Sequence, residues 1–192
     1  MTDPRKIIDG LLVLQYRAGS NKALGVLVRK YHPKLCKHSY WYTHDLNAAK
    51  DIVQDSWSII INKMDSLSNP NLFGSWAFRI VTRKSLDYVN RKNRELRSLQ
   101  IYHNGQVLEE VEGNNDEAVR KLLNAMRSLP NDQQIVLRLF YTEDYSLKEI
   151  SEILEIAIGT VKSRLFHARE KLKTILRNNK RSPLEGNHEG NN

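Results

Sequence analysis

A chain of 192 residues and 22.3 kDa fits one domain or two small ones, and 40% hydrophobic with 27% charged residues excludes a disordered polymer. Lysine and arginine number 30 against 22 acids, so the net charge is +8 and the pI near 9.6, which favours a polyanionic partner such as nucleic acid or an anionic membrane. The lone cysteine, Cys36, excludes an intrachain disulfide and zinc sites of CxxC spacing, and no apolar run approaches the roughly 20 residues that span a bilayer.

A reduced cytoplasm suits such a chain, with no membrane insertion. Asp9, Gln15 and Arg17 interrupt the apolar patch near the N-terminus, unlike a signal peptide. The basic excess is uneven: residues 1–95 carry 16 basic and 8 acidic side chains, and residues 96–192 carry 14 of each.

Helical periodicity dominates, so the fold class is all-α, two small helical bundles joined by a linker. From Ile7 to Arg94 apolar residues recur at three and four, with one break at the turn formers Asp65 to Asn71. A helix from about Ala48 to Met64 places Ala49, Val53, Trp57, Ile60 and Met64 on one stripe facing a core. Asp51, Gln54, Asp55, Ser58 and Asn62 fall on the opposite side, an acidic and amide surface within a basic half-chain. Such a face is either simply solvated or built for a protein partner, not for DNA.

A second helix, from about Ser75 to Arg94, lines Trp76, Arg79, Arg83, Asp87, Asn90 and Arg94 along one face, opposite Ala77, Phe78, Val81, Tyr88 and Val89. From Arg79 to Arg94 there are six basic residues and one acid. Guanidinium groups grip phosphates bidentately or fork onto guanine edges, and asparagine pairs with adenine, so these residue types suit duplex contact. Trp76 is open to two readings, packing against the preceding helix or stacking on a base.

Residues 96–116 have no periodic apolar face; Glu109, Glu110 and Glu112 mingle with Gly105, Gly113, Asn114 and Asn115, as in an interdomain linker. The helical pattern resumes at Glu117 and runs to about Asn178, before a Gly/Asn/Glu tail over 179–192 expected to be disordered.

Ser146-Leu-Lys-Glu149 has the capping-box form and starts a helix with Leu147, Ile150 and Leu154 inward, ending around Glu155 to Gly159. Thr160 then caps a second helix with Val161, Leu165, Ala168 and Leu172 inward. Lys162, Ser163, Phe166, His167, Glu170 and Lys173 point outward, flanked by Arg164, Arg169 and Lys171, and residues 160–181 hold eight basic residues and one acid. Two helices joined by a short Gly-containing turn form a helix-turn-helix, whose second helix enters the major groove. Phe166 is an aromatic on the polar face of that helix; either a thymine methyl receives it or another helix covers it.

Taken together, these three units resemble an extracytoplasmic-function (group IV) RNA polymerase sigma factor of the sigma-70 family. Asn47-Ala-Ala-Lys-Asp-Ile-Val-Gln-Asp-Ser-Trp57 resembles the family's region 2.2, which docks on the polymerase β′ clamp. The resemblance therefore assigns core polymerase binding to Asp51, Gln54, Asp55 and Ser58. Ser75 to Arg83 and Val89 to Arg94 resemble regions 2.3 and 2.4, so Trp76, Arg79, Arg83, Asn90 and Arg94 become candidate minus-ten contacts. The loop from Ser66 to Phe73 corresponds to the segment that captures a flipped non-template base.

Leu129-Pro-Asn-Asp-Gln-Gln-Ile-Val-Leu137 and Gly159-Thr-Val-Lys-Ser-Arg-Leu165 resemble regions 4.1 and 4.2, the minus-thirty-five reader. On that basis Lys162, Ser163, Phe166 and His167 face bases, and Arg164 and Arg169 meet phosphates. Two departures stand out: Glu155 occupies the place of the family's usual turn glycine, where φ tends positive, and Lys50 stands where relatives often carry an acid. The resemblance implies a factor that binds bacterial core RNA polymerase, through the β′ clamp and β flap, and promoter DNA, and that an anti-sigma factor restrains. It also implies that the linker threads the polymerase interior, where Glu109, Glu110 and Glu112 imitate nucleic acid.

The chief rival is a helix-turn-helix regulator that binds an operator without docking on polymerase, which leaves the acidic face unexplained. A nucleic-acid enzyme finds no support, since the chain lacks a GxxxxGK[ST] loop, carboxylates at metal-ligand spacing and a Cys/His nucleophile pair. No cofactor and no metal are expected. Basic faces with little exposed apolar bulk also argue against a membrane-surface protein.

Overall fold

A computed structural model describes residues 3–98 and 117–178. Within them the chain forms eight α-helices: α1 (Pro4–Arg17), α2 (Asn21–Thr43), α3 (Leu46–Asn62), α4 (Phe73–Ser98), α5 (Glu117–Arg127), α6 (Asn131–Tyr141), α7 (Leu147–Leu154) and α8 (Ile158–Asn178), with 3-10 turns at Met64–Ser66 and Pro70–Leu72. The linker acids Glu109, Glu110 and Glu112 and the tail lie outside the described residues.

Local chemistry explains the starts of α1, α3 and α7. Asp3 accepts from the Arg5 amide at 2.9 Å with Pro4 in the first turn, and Asp45 accepts from the amides of Asn47 and Ala48 at 3.0 and 3.1 Å. Two breaks escape the periodicity. The chain turns at Ala18–Ser20, where Gly19 has φ of 96°, and again at His44, whose φ of 49° ends α2 in a left-handed cap. Both turns keep apolar residues at helical spacing on either side, so the pattern runs through them unbroken. At the far end α4 continues to Ser98, three residues into the stretch expected to be linker.

In the N-terminal half α2 is the hub, with α1, α3 and α4 around it. Leu27, Leu35, Val53, Ile60, Met64, Phe73, Phe78 and Val81 are fully buried among them. In the C-terminal half α6, α7 and α8 bury Val136, Leu139, Ile150, Ile153, Val161 and Ala168. These two sets belong to one continuous core. The halves meet where α4 packs on α7, where Phe78 stacks edge-on against Tyr145 with 5.4 Å between ring centroids, and where Arg138 donates to the Lys37 carbonyl at 2.8 Å. Gly74 makes this closeness possible: a Cβ there would stand 2.6 Å from the Tyr31 hydroxyl oxygen and 2.8 Å from that of Tyr145.

His38 is buried at the α2–α4 contact, where Nε2 lies 2.9 Å from the Thr82 hydroxyl, which itself donates to the Phe78 carbonyl. Burial, aided by the Arg138 charge, lowers its pKa to about 3. The unfolded chain therefore takes up this proton first as pH falls, at about 6.5. Stability is expected to decline from about pH 6.5 toward 3, approaching about 1.4 kcal/mol per pH unit. Urea titrations at pH 7, 6, 5 and 4 measure it, and a slope that persists in His38→Gln would assign the effect to another group.

Candidate polymerase and nucleic-acid interfaces

The first face lies on α3. Ala49, Val53, Trp57, Ile60 and Met64 are buried, as the spacing requires, and the helix is thereby held against α2 and α4. Asp51, Gln54, Asp55, Ser58 and Asn62 are exposed on its outer side. No cation among the described residues pairs with Asp51 or Asp55, so their charge is available to a partner.

The second face is the outer side of α4. Its inner side is pinned by the Thr82–His38 contact and by the Ser85 hydroxyl, 2.9 Å from that of Ser39. Arg79, Arg83, Asn90 and Arg94 are exposed. Trp76 is half-buried, its ring 6.2 Å from that of Phe73, so packing accounts for at least part of its side chain. Arg91 and Lys92 extend this surface, with their charges 5.8 and 5.9 Å from the Tyr88 ring centroid. Both lie inside the basic run, but spacing from Arg79 does not single them out.

The third face is the helix-turn-helix of α7 and α8. Ser146 and Glu149 form the capping box, with the Ser146 amide donating to Glu149 at 3.0 Å and the Glu149 amide to Ser146 at 3.3 Å. Helix α8 starts at Ile158, and Thr160 lies within its first turn, its amide donating to the Ala157 carbonyl at 2.9 Å; the cap expected at Thr160 is corrected to Ala157, three residues earlier. Val161, Leu165 and Ala168 are buried and Leu172 is half-buried, while Lys162, Ser163, Phe166 and His167 are exposed.

Phe166 is 60% exposed, which excludes its being covered by another described helix. Its ring packs edge-on against His167 at 5.4 Å, so the two form one aromatic tip. The Ser163 hydroxyl donates to the Thr160 carbonyl at 3.0 Å. Arg164 is half-buried and pairs with Asp132 at 3.0 Å, and Arg169 sits 5.5 and 5.4 Å from the Phe140 and Tyr141 ring centroids. Both flanking arginines are thus oriented by α6 contacts that a helical projection of α8 cannot reveal.

Glu155 ends α7 in the left-handed region with φ of 54°, as its place in the turn foreshadows. A non-glycine residue there costs on the order of 1 kcal/mol. Its carboxylate reaches the second face: Arg79 Nε donates to Oε1 at 2.8 Å and Arg83 Nε to Oε2 at 3.1 Å. These hydrogen bonds, that from Arg79 foremost, hold the Glu155 carboxyl below the usual glutamate pKa.

Two protein-family models fall on this architecture. Sigma-70 region 2 matches residues 27–95, which hold the first two faces, and sigma-70 region 4 matches residues 119–172, which hold the third. Between them they take in more than half of the chain. The chain belongs to the sigma-70 family.

It is an extracytoplasmic-function sigma factor, a transcription initiation factor rather than an enzyme. It is 27% identical over 191 residues to the extracytoplasmic-function sigma-E factor of Haemophilus influenzae, covering 93% of this chain and 98% of that one. Against the sigma-E factor of Escherichia coli K12 the identity is 26%, covering 93% and 97%. Among solved structures, the sigma factor RpoE in complex with the anti-sigma factor NepR from Bartonella quintana superposes with a TM-score of 0.68, at 22% identity over 81% of this chain and 98% of that one. CnrH in complex with the cytosolic domain of CnrY gives a TM-score of 0.61, at 21% identity over 89% and 98%. The structural likenesses establish the shared fold. Among the described residues no cluster of metal-ligating side chains occurs and no helix is long and apolar enough to cross a membrane.

Proposed function

We propose that this sigma factor docks on the β′ clamp of bacterial core RNA polymerase through Asp51, Gln54, Asp55 and Ser58, and directs promoter-specific initiation with two separate DNA-reading faces. The observation that carries the reading is an unpaired acidic face on α3 beside two basic faces, on α4 and α8, within sigma regions 2 and 4. Trp76, Arg79, Arg83, Asn90 and Arg94 read and help open the minus-ten element; trapping unpaired bases turns binding energy into strand opening. Lys162, Ser163, Phe166 and His167 read the minus-thirty-five element, with Arg164 and Arg169 on phosphates.

The domains divide at 1–95 and 117–178, and 96–116 is a linker that lets the two readers span separated elements and engage the β flap and polymerase interior. The working compartment is the cytoplasm, where the polymerase acts and a lone thiol such as Cys36 stays reduced. An anti-sigma factor is a fitting partner, given that RpoE and CnrH were solved with NepR and CnrY. An operator-binding regulator would use the α8 face alone and leave the α3 acids without a role.

Co-purification of the tagged chain with core polymerase, followed by run-off transcription on genomic fragments, tests this. Stoichiometric binding with new start sites supports it; absence of binding to free core refutes it. Phe166→Ala and His167→Ala are each expected to cost about 1–3 kcal/mol of promoter affinity, a loss of one lost base contact each, and to leave core affinity unchanged. Filter binding of the holoenzyme to the recovered promoter measures the loss.

A further inference from the structure

The contact between Glu155 and the α4 arginines is not needed to build either half. It joins residues 76 and 72 positions apart, across the line where the halves meet. It also sets a charged side chain on a backbone conformation that glycine adopts more readily, and directs its one carboxylate into two guanidinium forks. Those forks are what a phosphate or a guanine edge would occupy. The α3 acids, by contrast, remain open in the same arrangement.

We infer that Glu155 is a latch: in the free chain it holds the C-terminal half against α4 and occupies Arg79 and Arg83, withholding them from DNA until polymerase has docked on α3. The two arginines remain partly exposed, so the latch acts by occupying their donors rather than by burying them. Exposed ion pairs such as these two are weak, which suits a contact that polymerase must undo. Three further ion pairs cross the same boundary, Arg5 to Asp144, Lys6 to Glu149 and Lys34 to Glu143, and the Phe78–Tyr145 ring contact crosses it as well. Closure is therefore shared, and Glu155 is the member of the set that engages the DNA-reading arginines.

The inference rests on the assignment of Arg79 and Arg83 to promoter DNA, and two measurements separate them. The first is fluorescence anisotropy of the free full-length chain with a labelled mixed-sequence single-stranded 20-mer at low salt. Glu152→Gln, an exposed substitution on the same helix with the same charge change, is the reference. Glu155→Gln and Glu155→Gly are each expected to bind five- to tenfold more tightly than Glu152→Gln, with the gain lost in an Arg79→Gln/Arg83→Gln background. Glycine is at home in the left-handed turn, so this second variant guards against a folding defect.

The second measurement is run-off transcription by reconstituted holoenzyme. If Arg79→Gln/Arg83→Gln lowers transcription while both Glu155 variants bind the 20-mer like Glu152→Gln, the latch fails and the arginine assignment stands. If the arginine pair changes neither transcription nor binding, the assignment fails and the latch with it.

Discussion

Asp51→Lys/Asp55→Lys is expected to abolish co-purification with core polymerase, lowering affinity at least about 100-fold. Both carboxylates are exposed, and they lie one turn apart on a helix whose opposite side is fully packed. Neither has a cation partner among the described residues. Placing lysines against a surface that selects acids sets like charges together at two points, at a cost of several kcal/mol, where about 2.7 kcal/mol is already 100-fold. Folding should hardly register the change, because exposed substitutions away from packing features stay within about 0.5 kcal/mol. Thermal melts run beside the binding titrations make that comparison. An affinity within threefold of wild type, with an unchanged melt, would remove α3 from the docking surface.

The largest effect on stability is expected from Glu143→Ala, at about 3–5 kcal/mol. Arg138 and Glu143 have side chains only 5% exposed and lie 3.6 Å apart; Lys34 also reaches Glu143, at 2.8 Å. The guanidinium donates to the Lys37 carbonyl at 2.8 Å, while its Nε has no partner, and burial lowers its pKa. Removing the carboxylate leaves a buried cation with backbone acceptors alone. Because Arg138 comes from α6 and its acceptors from α2, the loss falls where the halves join. Chemical denaturation of the single variants and of Arg138→Met/Glu143→Ala measures the coupling. If the double variant is no more stable than Glu143→Ala, the stranded charge is not the cause.

The three candidate faces were legible because each depends on a single helix. Side chains three and four apart share a side, so Val53 and Trp57 identify the buried stripe of α3 and thereby expose Asp51 and Asp55. The same reasoning separates Phe78 from Arg79 on α4 and Leu165 from Phe166 on α8. Capping is equally local, and the Ser146–Glu149 box formed where its spacing placed it. The positive φ at Glu155 was implied only by the resemblance, because it stands in the place of the family's usual turn glycine.

What the sequence could not determine is set by contacts between residues far apart in the chain. The turns at Gly19 and His44 hide within an uninterrupted apolar period, and Thr160 resembles a cap although α8 begins before it. His38 and Arg138 look like surface residues until two helices close over them. Arg164 and Arg169 acquire their orientation from α6, and the carboxylate of Glu155 meets Arg79 and Arg83 only when the halves come together. Helical periodicity encodes which side of each helix is apolar, and so determined the fold class and the candidate faces. It carries no information about which polar side chain on one half will meet another on the other half; tertiary packing decided that, because such a partner is chosen by proximity in the folded core and not by spacing along the chain.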